Sequence, residues 1–463
     1  MTHRAVDAPA LARTLTVRDL VLFNIAAVMS IRWLATAAAA GPSSLLLWVA
    51  AGLLFFIPQG LAVARLSARY PEEGGIYRWT RRAFGERHGF LCGWCYWVNN
   101  VLYYPSLLVF VAAIAPWAFG AGETGLGDQL SYVLPVTLVG MWLAVGLNVV
   151  GIQTGRWLQN IGGSALFIPA GLVIVLGVYA FATRAPATVI NADSLLPSLA
   201  DPSRLNFWAS IPFAYAGLEL AATLAGEVKN PERSLPRSML VTAPIVATVY
   251  VVGTASLLWM VPPERLNVIT AIVQGIAAGV SDLPALHWVV PLAAAAITIN
   301  VIGAVGAWLN GSARVAFAVG LDRYAPAGFA RIHPRWGTPY VAILVQATLS
   351  TILLLVSVLG KGTRVETLYL VLLDTMLLVY FIPYVYLFLC YLRESSGSAL
   401  RWLTGVSGIF VTVFAMVVAC IPPPESQHHI AKVLGGVFGF LVLGGVLYWR
   451  ADRGSSVEIR EAA

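Results

Sequence analysis

Charged residues are scarce in this chain. Asp, Glu, Lys and Arg make up 11% of its 463 residues, and 59% are hydrophobic, whereas soluble domains carry about 25% charged residues. This composition argues against a soluble globular protein and predicts an integral membrane protein. The net charge of +7 does not indicate a nucleic-acid partner, because in a membrane protein its meaning lies in which side of the bilayer holds the charges.

Cysteines and clusters of metal-ligating residues are also scarce. The four cysteines are too few for a disulfide scaffold. Cys92 and Cys95 form a C-x-x-C, but they lie in an apolar run rather than in the βαβ context of a redox motif. His428 and His429 have no further ligands nearby. We therefore expect no metal, no cofactor and no enzymatic activity.

Apolar runs of membrane-spanning length recur along the chain. There are twelve, at residues 18–40, 44–64, 89–118, 131–151, 160–182, 206–226, 238–261, 286–314, 339–359, 365–392, 402–421 and 430–449. The sequence predicts an all-α integral membrane protein with twelve transmembrane helices in a single domain, 1–463. Its parts would be an N-terminal segment (1–17), a ten-helix core (18–392), two additional helices (402–449) and a tail (450–463).

The loops differ in charge from one side of the membrane to the other. "RLSARYPEEGGIYRWTRRAFGERHG" and "GEVKNPERSLPRS" are rich in Arg, whereas "GAGETGLGDQ" and "IPPPESQHH" have no Lys or Arg. By the positive-inside rule, both termini face the cytoplasm. The expected location is a bacterial cytoplasmic (inner) membrane, with the amphipathic "GLDRYAPAGFARI" along its inner surface.

Two of the runs are interrupted. "SIRWLAT" places Arg32 within the first, and "FWASIPFAYAGLELAATLAGEVKNP" places Pro212, Gly217 and Glu219 within the sixth. If the first ten runs divide into two halves of five, these breaks occupy corresponding positions. Paired broken helices are typical of transporters built from inverted repeats, whose substrate binds between them near the bilayer midplane.

Three long motifs resemble those of the amino acid-polyamine-organocation (APC) superfamily of permeases. They are "FAYAGLELAATLAGEVKNPERSLPRS", "YPEEGGIYRWTRRAFGERHGFLCGW" and "LDRYAPAGFARIHPRWGTP". "VMSIRWLATAAAAG" and "FFIPQGLAVARLSARYPEEGG" are most similar to the bacterial glutamate/GABA antiporter branch. The resemblance implies inverted five-helix repeats with broken helices one and six, and a secondary active transporter, permease or antiporter, that moves amino acids by alternating access.

The resemblance also implies a set of site residues. Most of the family has a small-residue break in span one, where this chain has Met29, Ser30, Ile31 and Arg32. In span six and beyond, the implied substrate-binding residues are Phe213, Ala214, Tyr215, Gly217 and Trp308, with Phe213 and Trp308 capping the site. Glu219 matches a carboxylate linked to coupling or gating in some relatives. Many proton-coupled relatives have a lysine in span five, and "NIGGSALFIPAG" has none.

Other intramembrane polar groups are candidates from the residues alone. Asp374 is a further charge in span ten and a candidate for lining the path. Asn99, Asn100, Tyr103 and Tyr104 are candidate wall residues in span three, although their phase around the helix is open.

The sequence leaves three alternatives for how the charge of Arg32 is accommodated. A charge in mid-membrane is costly and normally faces a partner in the bundle interior. If Glu219 neutralises it, the empty site suits a zwitterion. If a substrate carboxylate does, the site suits an acidic amino acid or an organic anion. In a third alternative, Arg32 locks two helices together.

The function and the assembly also have alternatives. Uptake of an amine or polyamine, transport of an organic anion, and a non-transporting sensor of the same fold all remain beside amino acid transport. The expected partners are a small-molecule amino acid, amine or acid and the lipid bilayer, with protons as a candidate coupling ion. The oligomeric state is monomer or homodimer.

Overall fold

Helices account for nearly all the regular structure of the chain. The computed structural model describes residues 16–70, 75–150, 164–197, 202–220, 228–321, 331–336, 338–359, 364–394, 398–422 and 428–461, with only the backbone placed at some helical positions. No β-strand of a sheet occurs among these residues. The all-α prediction is confirmed.

The main helices follow one another in chain order. Their bounds are α1 Val17–Val28, α2 Arg32–Ala39, α3 Ser43–Arg69, α4 Gly75–Phe84, α5 Glu86–Ala118, α6 Leu130–Val150, α7 Phe167–Thr183, α8 Ser210–Ala214, α9 Pro231–Met260, α10 Ala271–Gly279, α11 Val289–Leu321, α12 Tyr340–Ser357, α13 Val365–Arg393, α14 Ala399–Ala419 and α15 His429–Glu461.

Nine helices in the described part of the chain are long and apolar enough to cross a membrane. They lie in α3, α5, α6, α9, α11, α12, α13, α14 and α15. The other three predicted spans correspond to the 17-residue apolar helix α7, to the pair α1 and α2, and to the region of α8. Twelve spans therefore stays a prediction, and so does the division into a core and two additional helices.

Local sequence explains where several helices begin. The Asp19 carboxylate accepts hydrogen bonds from the amide and hydroxyl of Thr16, at 2.8 and 2.7 Å, at the start of α1. Such a capping box satisfies donors that a helix leaves open. Pro231 opens α9, where its fixed φ suits the first helical turn and its missing N–H costs no hydrogen bond.

Two helices form the centre of the bundle. The most apolar 18-residue stretch is 89% buried in α13 and 78% buried in α5, against 17% in α15 and 22% in α6. Their buried surfaces pack against each other, and α11 packs against α5. Side chains of α5 and α13 are therefore available to any site inside the bundle.

Close approach of two other helices depends on a glycine. A Cβ added at Gly177 in α7 would lie 2.2 Å from Ser256 Cβ and 2.8 Å from its carbonyl oxygen, in α9. No side chain fits in that space, so α7 and α9 pack with backbones nearly touching, as small residues permit in membrane helices.

Three further features of the sequence can be placed relative to these helices. Most of "GLDRYAPAGFARI" lies outside the described residues. Cys92 and Cys95 are buried, unpaired thiols in α5. The short buried helix α10 had no counterpart among the predicted spans.

Candidate functional site

The first predicted break lies between α1 and α2. The helix ends at Val28, Met29 is extended with φ −77° and ψ 118°, and helical structure resumes at Arg32. The first amides of a helix have no partner within it. At the start of α2, the amides of Trp33 and Leu34 donate to the carbonyl oxygens of Ser30 and Ile31, at 3.2 and 3.1 Å. The N-terminus of α2 also places a positive dipole end at the break.

The second break follows α8. Gly217 has φ 127°, in the left-handed region that favours glycine. Its amide lies 2.8 Å from the Tyr384 hydroxyl and 3.1 Å from Glu219 Oε2. The glycine thus allows a turn whose released backbone donor is satisfied by side chains rather than by a helix.

A single tyrosine on α9 joins the two breaks. The Tyr250 hydroxyl donates to the Val28 carbonyl oxygen at 2.8 Å, lies 3.2 Å from the Ala214 carbonyl oxygen, and accepts from the Ser30 amide at 3.2 Å. Its ring stacks on Trp48 with centroids 4.3 Å apart. Tyr250 therefore holds the ends of α1 and α8 in a fixed relation.

A cavity of about 510 Å³ lies against both breaks. Its walls come from α1, α2, α5, the N-terminal end of α7, α8, α11 and α13. None of the described residues that line it carries a charge: Leu22, Ile25, Val28, Met29, Ser30, Trp33, Asn99, Tyr103, Leu107, Ser164, Leu166, Phe167, Phe213, Ala216, Gly217, Asn300, Val301, Ala304 and Tyr380.

Three aromatic rings that line the cavity pack against one another. Phe213 meets Trp33 edge-on with ring centroids 5.3 Å apart, and meets Tyr380 in the same manner at 5.5 Å. All three side chains are more than 90% buried. Edge-to-face contacts of this kind stabilise the packing of aromatic rings.

Glu219 lies behind this wall, surrounded by hydrogen-bond donors. Oε1 accepts from the Tyr380 hydroxyl and lies 3.5 Å from the Tyr96 hydroxyl. Oε2 accepts from the Tyr384 hydroxyl, from Gln59 at 3.3 Å and from the amide of Gly217 at 3.1 Å. We call these partners, from α3, α5, α13 and the second break, the Glu219 cluster. Such a donor set suits an ionised carboxylate.

Arg32 is 1% exposed but has no comparable set of partners. Its Nη1 lies 3.4 Å from Ser106 Oγ, a long hydrogen bond, and its Nε and Nη2 have no hydrogen-bond partner among the described residues. The guanidinium Cζ lies 4.3 Å from the ring centroid of Trp33 and 4.8 Å from that of Tyr103. The oxygens of Glu219 are bonded elsewhere, so the pairing of Arg32 with Glu219 is not found.

The sequence is similar to those of known proteins along nearly its whole length. A family model described as amino acid permease matches residues 15–445. This chain belongs to the amino acid permease family. The predicted APC resemblance is confirmed, and with it a secondary transporter of amino acids.

Three relatives illustrate the range of this family, and the substrates that two of their names give are different. An uncharacterized transporter of Legionella pneumophila is 30% identical over 450 residues, 94% of each chain. A probable agmatine/putrescine antiporter of Lactococcus lactis is 26% identical over 70% of this chain and 68% of its own. The glutamate/gamma-aminobutyrate antiporter of the same species is 22% identical over 83% and 79%. Antiporters of the predicted branch are thus among the relatives, together with an amine antiporter.

The structure brings some of the predicted site residues of the permease to the cavity and not others. Met29, Ser30, Phe213 and Gly217 line it, as do Asn99 and Tyr103, one helical turn apart in α5. Ile31, Arg32, Ala214 and Tyr215 are buried outside its lining. Tyr215 turns toward α3 instead, where its hydroxyl lies 3.2 Å from the carbonyl oxygen of Trp48. The Trp308 side chain lies outside the described part of the chain.

Asp374 belongs to a different cluster. It lies 2.9 Å from Nε2 of His429, at the start of α15, and accepts from the Asn206 amide at 3.0 Å. Asn206 also donates to the carbonyl oxygens of Ala419 and Ile421 at the end of α14. Asp374 is therefore not among the cavity-lining residues, and it joins α13 to α14, α15 and the residues before α8.

Tyr250, Tyr380, Tyr384 and Trp33 were missed by the sequence analysis. A signal for the first three was present, because the hydroxyl of a tyrosine buried in an apolar helix usually has a hydrogen-bond partner. The sequence does not show whether these side chains face the breaks.

Proposed function

We propose that the permease carries an amino acid through this cavity by alternating access, in a bacterial inner membrane with both termini in the cytoplasm. The observation that carries the proposal is that one cavity meets both helix breaks. Broken helices beside an internal cavity supply backbone donors and acceptors that a polar solute can use in an otherwise apolar bundle.

The helix ends at the two breaks favour a zwitterion. The N-terminal end of α2 carries a partial positive charge, and the C-terminal ends of α1 and α8 carry partial negative charges. A substrate α-carboxylate would lie at the amides that open α2. Its ammonium group would lie toward the carbonyl oxygens of Val28 and Ala214, since the Val28 oxygen has a second lone pair beyond the one that accepts from Tyr250.

The conformation corresponds to an inward-facing state in this proposal. The cavity runs along α1 from Val28 past Ile25 to Leu22, toward the N-terminal half of that helix, and reaches Ser164, just before α7. With the N-terminus cytoplasmic, that direction is inward. The rings of Trp33, Phe213 and Tyr380 would then be the outer barrier, which must separate when the site turns outward.

Glu219 would have a coupling or gating role. Its carboxylate holds the Gly217 amide and the Tyr380 and Tyr384 hydroxyls in one cluster. A proton or a substrate-driven shift at this point would release span six from α13. The cavity and the outer barrier would respond together, because Tyr380 contacts Glu219, lines the cavity and belongs to the barrier.

Counterflow in proteoliposomes tests the proposal. Vesicles holding purified permease and an unlabelled amino acid mixture should accumulate individual radiolabelled amino acids transiently. Phe213→Ala should lower this exchange at least about tenfold because the barrier no longer closes over the substrate. Phe410→Ala is the matched control, since that ring is 65% exposed on α14.

Two results would count against the proposal. Exchange of no amino acid by the wild-type protein would remove transport altogether and leave a non-transporting sensor. Equal activity of the Phe213 variant and the wild type would remove the assigned barrier.

A further inference from the structure

The two buried charges beside the cavity differ in how they are neutralised. The oxygens of Glu219 are surrounded by five donors. The guanidinium of Arg32 has one long contact with the Ser106 hydroxyl, lies near the Tyr369 hydroxyl and packs against two aromatic rings, all of them uncharged. Among the described residues, two of its nitrogens have no hydrogen-bond partner and no carboxylate forms an ion pair with it. A buried cation without an anionic partner is unfavourable, so this position favours an anion as the partner of Arg32.

The position of Arg32 makes the cavity the source of that partner. Trp33 and Tyr103, the two rings that contact the guanidinium, both line the cavity. The guanidinium therefore lies behind the Trp33 and Tyr103 rings, which separate it from the cavity. Rotation of either side chain would bring the guanidinium, which is shaped to bind a carboxylate with two parallel hydrogen bonds, to the cavity surface.

We propose that Arg32 binds the side-chain carboxylate of an acidic amino acid and so selects the substrate. This inference rests on the proposed transport function and narrows it to acidic amino acids. The α-carboxylate and ammonium occupy the helix breaks, and the second carboxylate reaches Arg32. A polyamine would meet no charged side chain among the described cavity-lining residues, and the adjacent Glu219 is already occupied by donors.

Thermal stability of the intact permease in lipid nanodiscs tests the proposal, because a ligand of the folded state raises its unfolding midpoint. The probes are L-glutamate and L-aspartate, their neutral isosteres L-glutamine and L-asparagine, putrescine, and sodium chloride and phosphate as inorganic anions. We expect an acidic amino acid to raise the midpoint at concentrations where its isostere, the amine and the salts do not. Counterflow should show the same preference.

Variants then locate the selectivity. Arg32→Gln should weaken acidic amino acid binding at least about tenfold, with less loss in Arg32→Lys, which keeps the charge but not the planar fork. Thr36→Val is the control, since Thr36 is buried in the same helix one turn away. Arg32→Met should leave the midpoint of the empty protein unchanged or higher, because it removes an unpaired charge.

Several outcomes would overturn the inference. Neutral amino acids that stabilise and exchange as well as acidic ones would leave the transport proposal intact and remove Arg32 as its selector. So would a response to putrescine or to inorganic anions alone, or an empty Arg32→Met protein with a lowered midpoint and unchanged preference, which would make the arginine a helix lock. Absence of exchange for every amino acid would remove both proposals.

Discussion

The hydroxyl of Tyr250 and the carbonyl oxygen of Val28 are 2.8 Å apart, at the point where α1 ends. The same hydroxyl accepts from Ser30 on the other side of the break. A helix that stops within a membrane leaves backbone groups that water does not reach. One side chain from α9 thus replaces part of the missing helical turn.

Tyr250→Phe should destabilise the permease by about 1–3 kcal/mol, because it leaves buried main-chain groups of the break without their hydrogen bonds. Denaturation in mixed micelles measures the loss. Tyr132→Phe, on α6 and outside the cavity lining, serves as the control and should be neutral. An unchanged Tyr250→Phe protein would mean that other groups satisfy the break.

Glu219→Gln should leave a folded protein with counterflow lowered at least about tenfold. The amide has the size of the carboxylate, but its NH₂ would face hydroxyl and amide donors that need an acceptor. Tyr384→Phe should act in the same direction and more weakly, since the Gly217 amide keeps its contact with Glu219. Full transport by Glu219→Gln would show that the carboxylate has no role in the cycle.

His429→Ala should destabilise the protein by about 3–5 kcal/mol, because it leaves the carboxylate of Asp374 buried with Asn206 as its remaining described partner. The double variant Asp374→Leu/His429→Ala should be more stable than His429→Ala alone, since it removes the unpaired charge. Unfolding midpoints of the two variants decide the matter. A double variant less stable than the single one would contradict the pairing.

Gly177→Ala should destabilise the bundle by about 1–3 kcal/mol through overpacking against Ser256. Gly171→Ala is the matched control in the same helix, since a Cβ there meets nothing within 4 Å. It should be neutral or stabilising, because alanine favours helix more than glycine does. Equal midpoints for the two variants would show that α7 and α9 separate at little cost.

The sequence predicted the breaks better than the directions of the side chains near them. Pro212 and Gly217 mark an interruption of span six, and Arg32 marks one in span one, because proline, glycine and charge are unfavourable in a membrane helix. Each interruption resets the rotation of the chain. Helical spacing therefore does not predict whether Arg32 or Tyr215 faces the cavity, and neither side chain lines it.

The sequence also does not predict which side chains from distant spans contact each other. Asp374 was predicted to line the path because its sequence neighbours are apolar, and His429 was placed in an outer loop without ligands. They form one buried pair, 55 residues apart in the chain. The pairing depends on how α15 packs against α13, which no local pattern encodes.

The Glu219 cluster draws its donors from three helices and from the turn after α8. Any rotation of that turn relative to α13 must break several of these hydrogen bonds at nearly the same moment. Because the cluster is buried, few water molecules can replace the lost bonds. The barrier to such a step is mainly enthalpic. If this step limits turnover, cooling should slow exchange much more steeply than it slows diffusion of the substrate into the cavity.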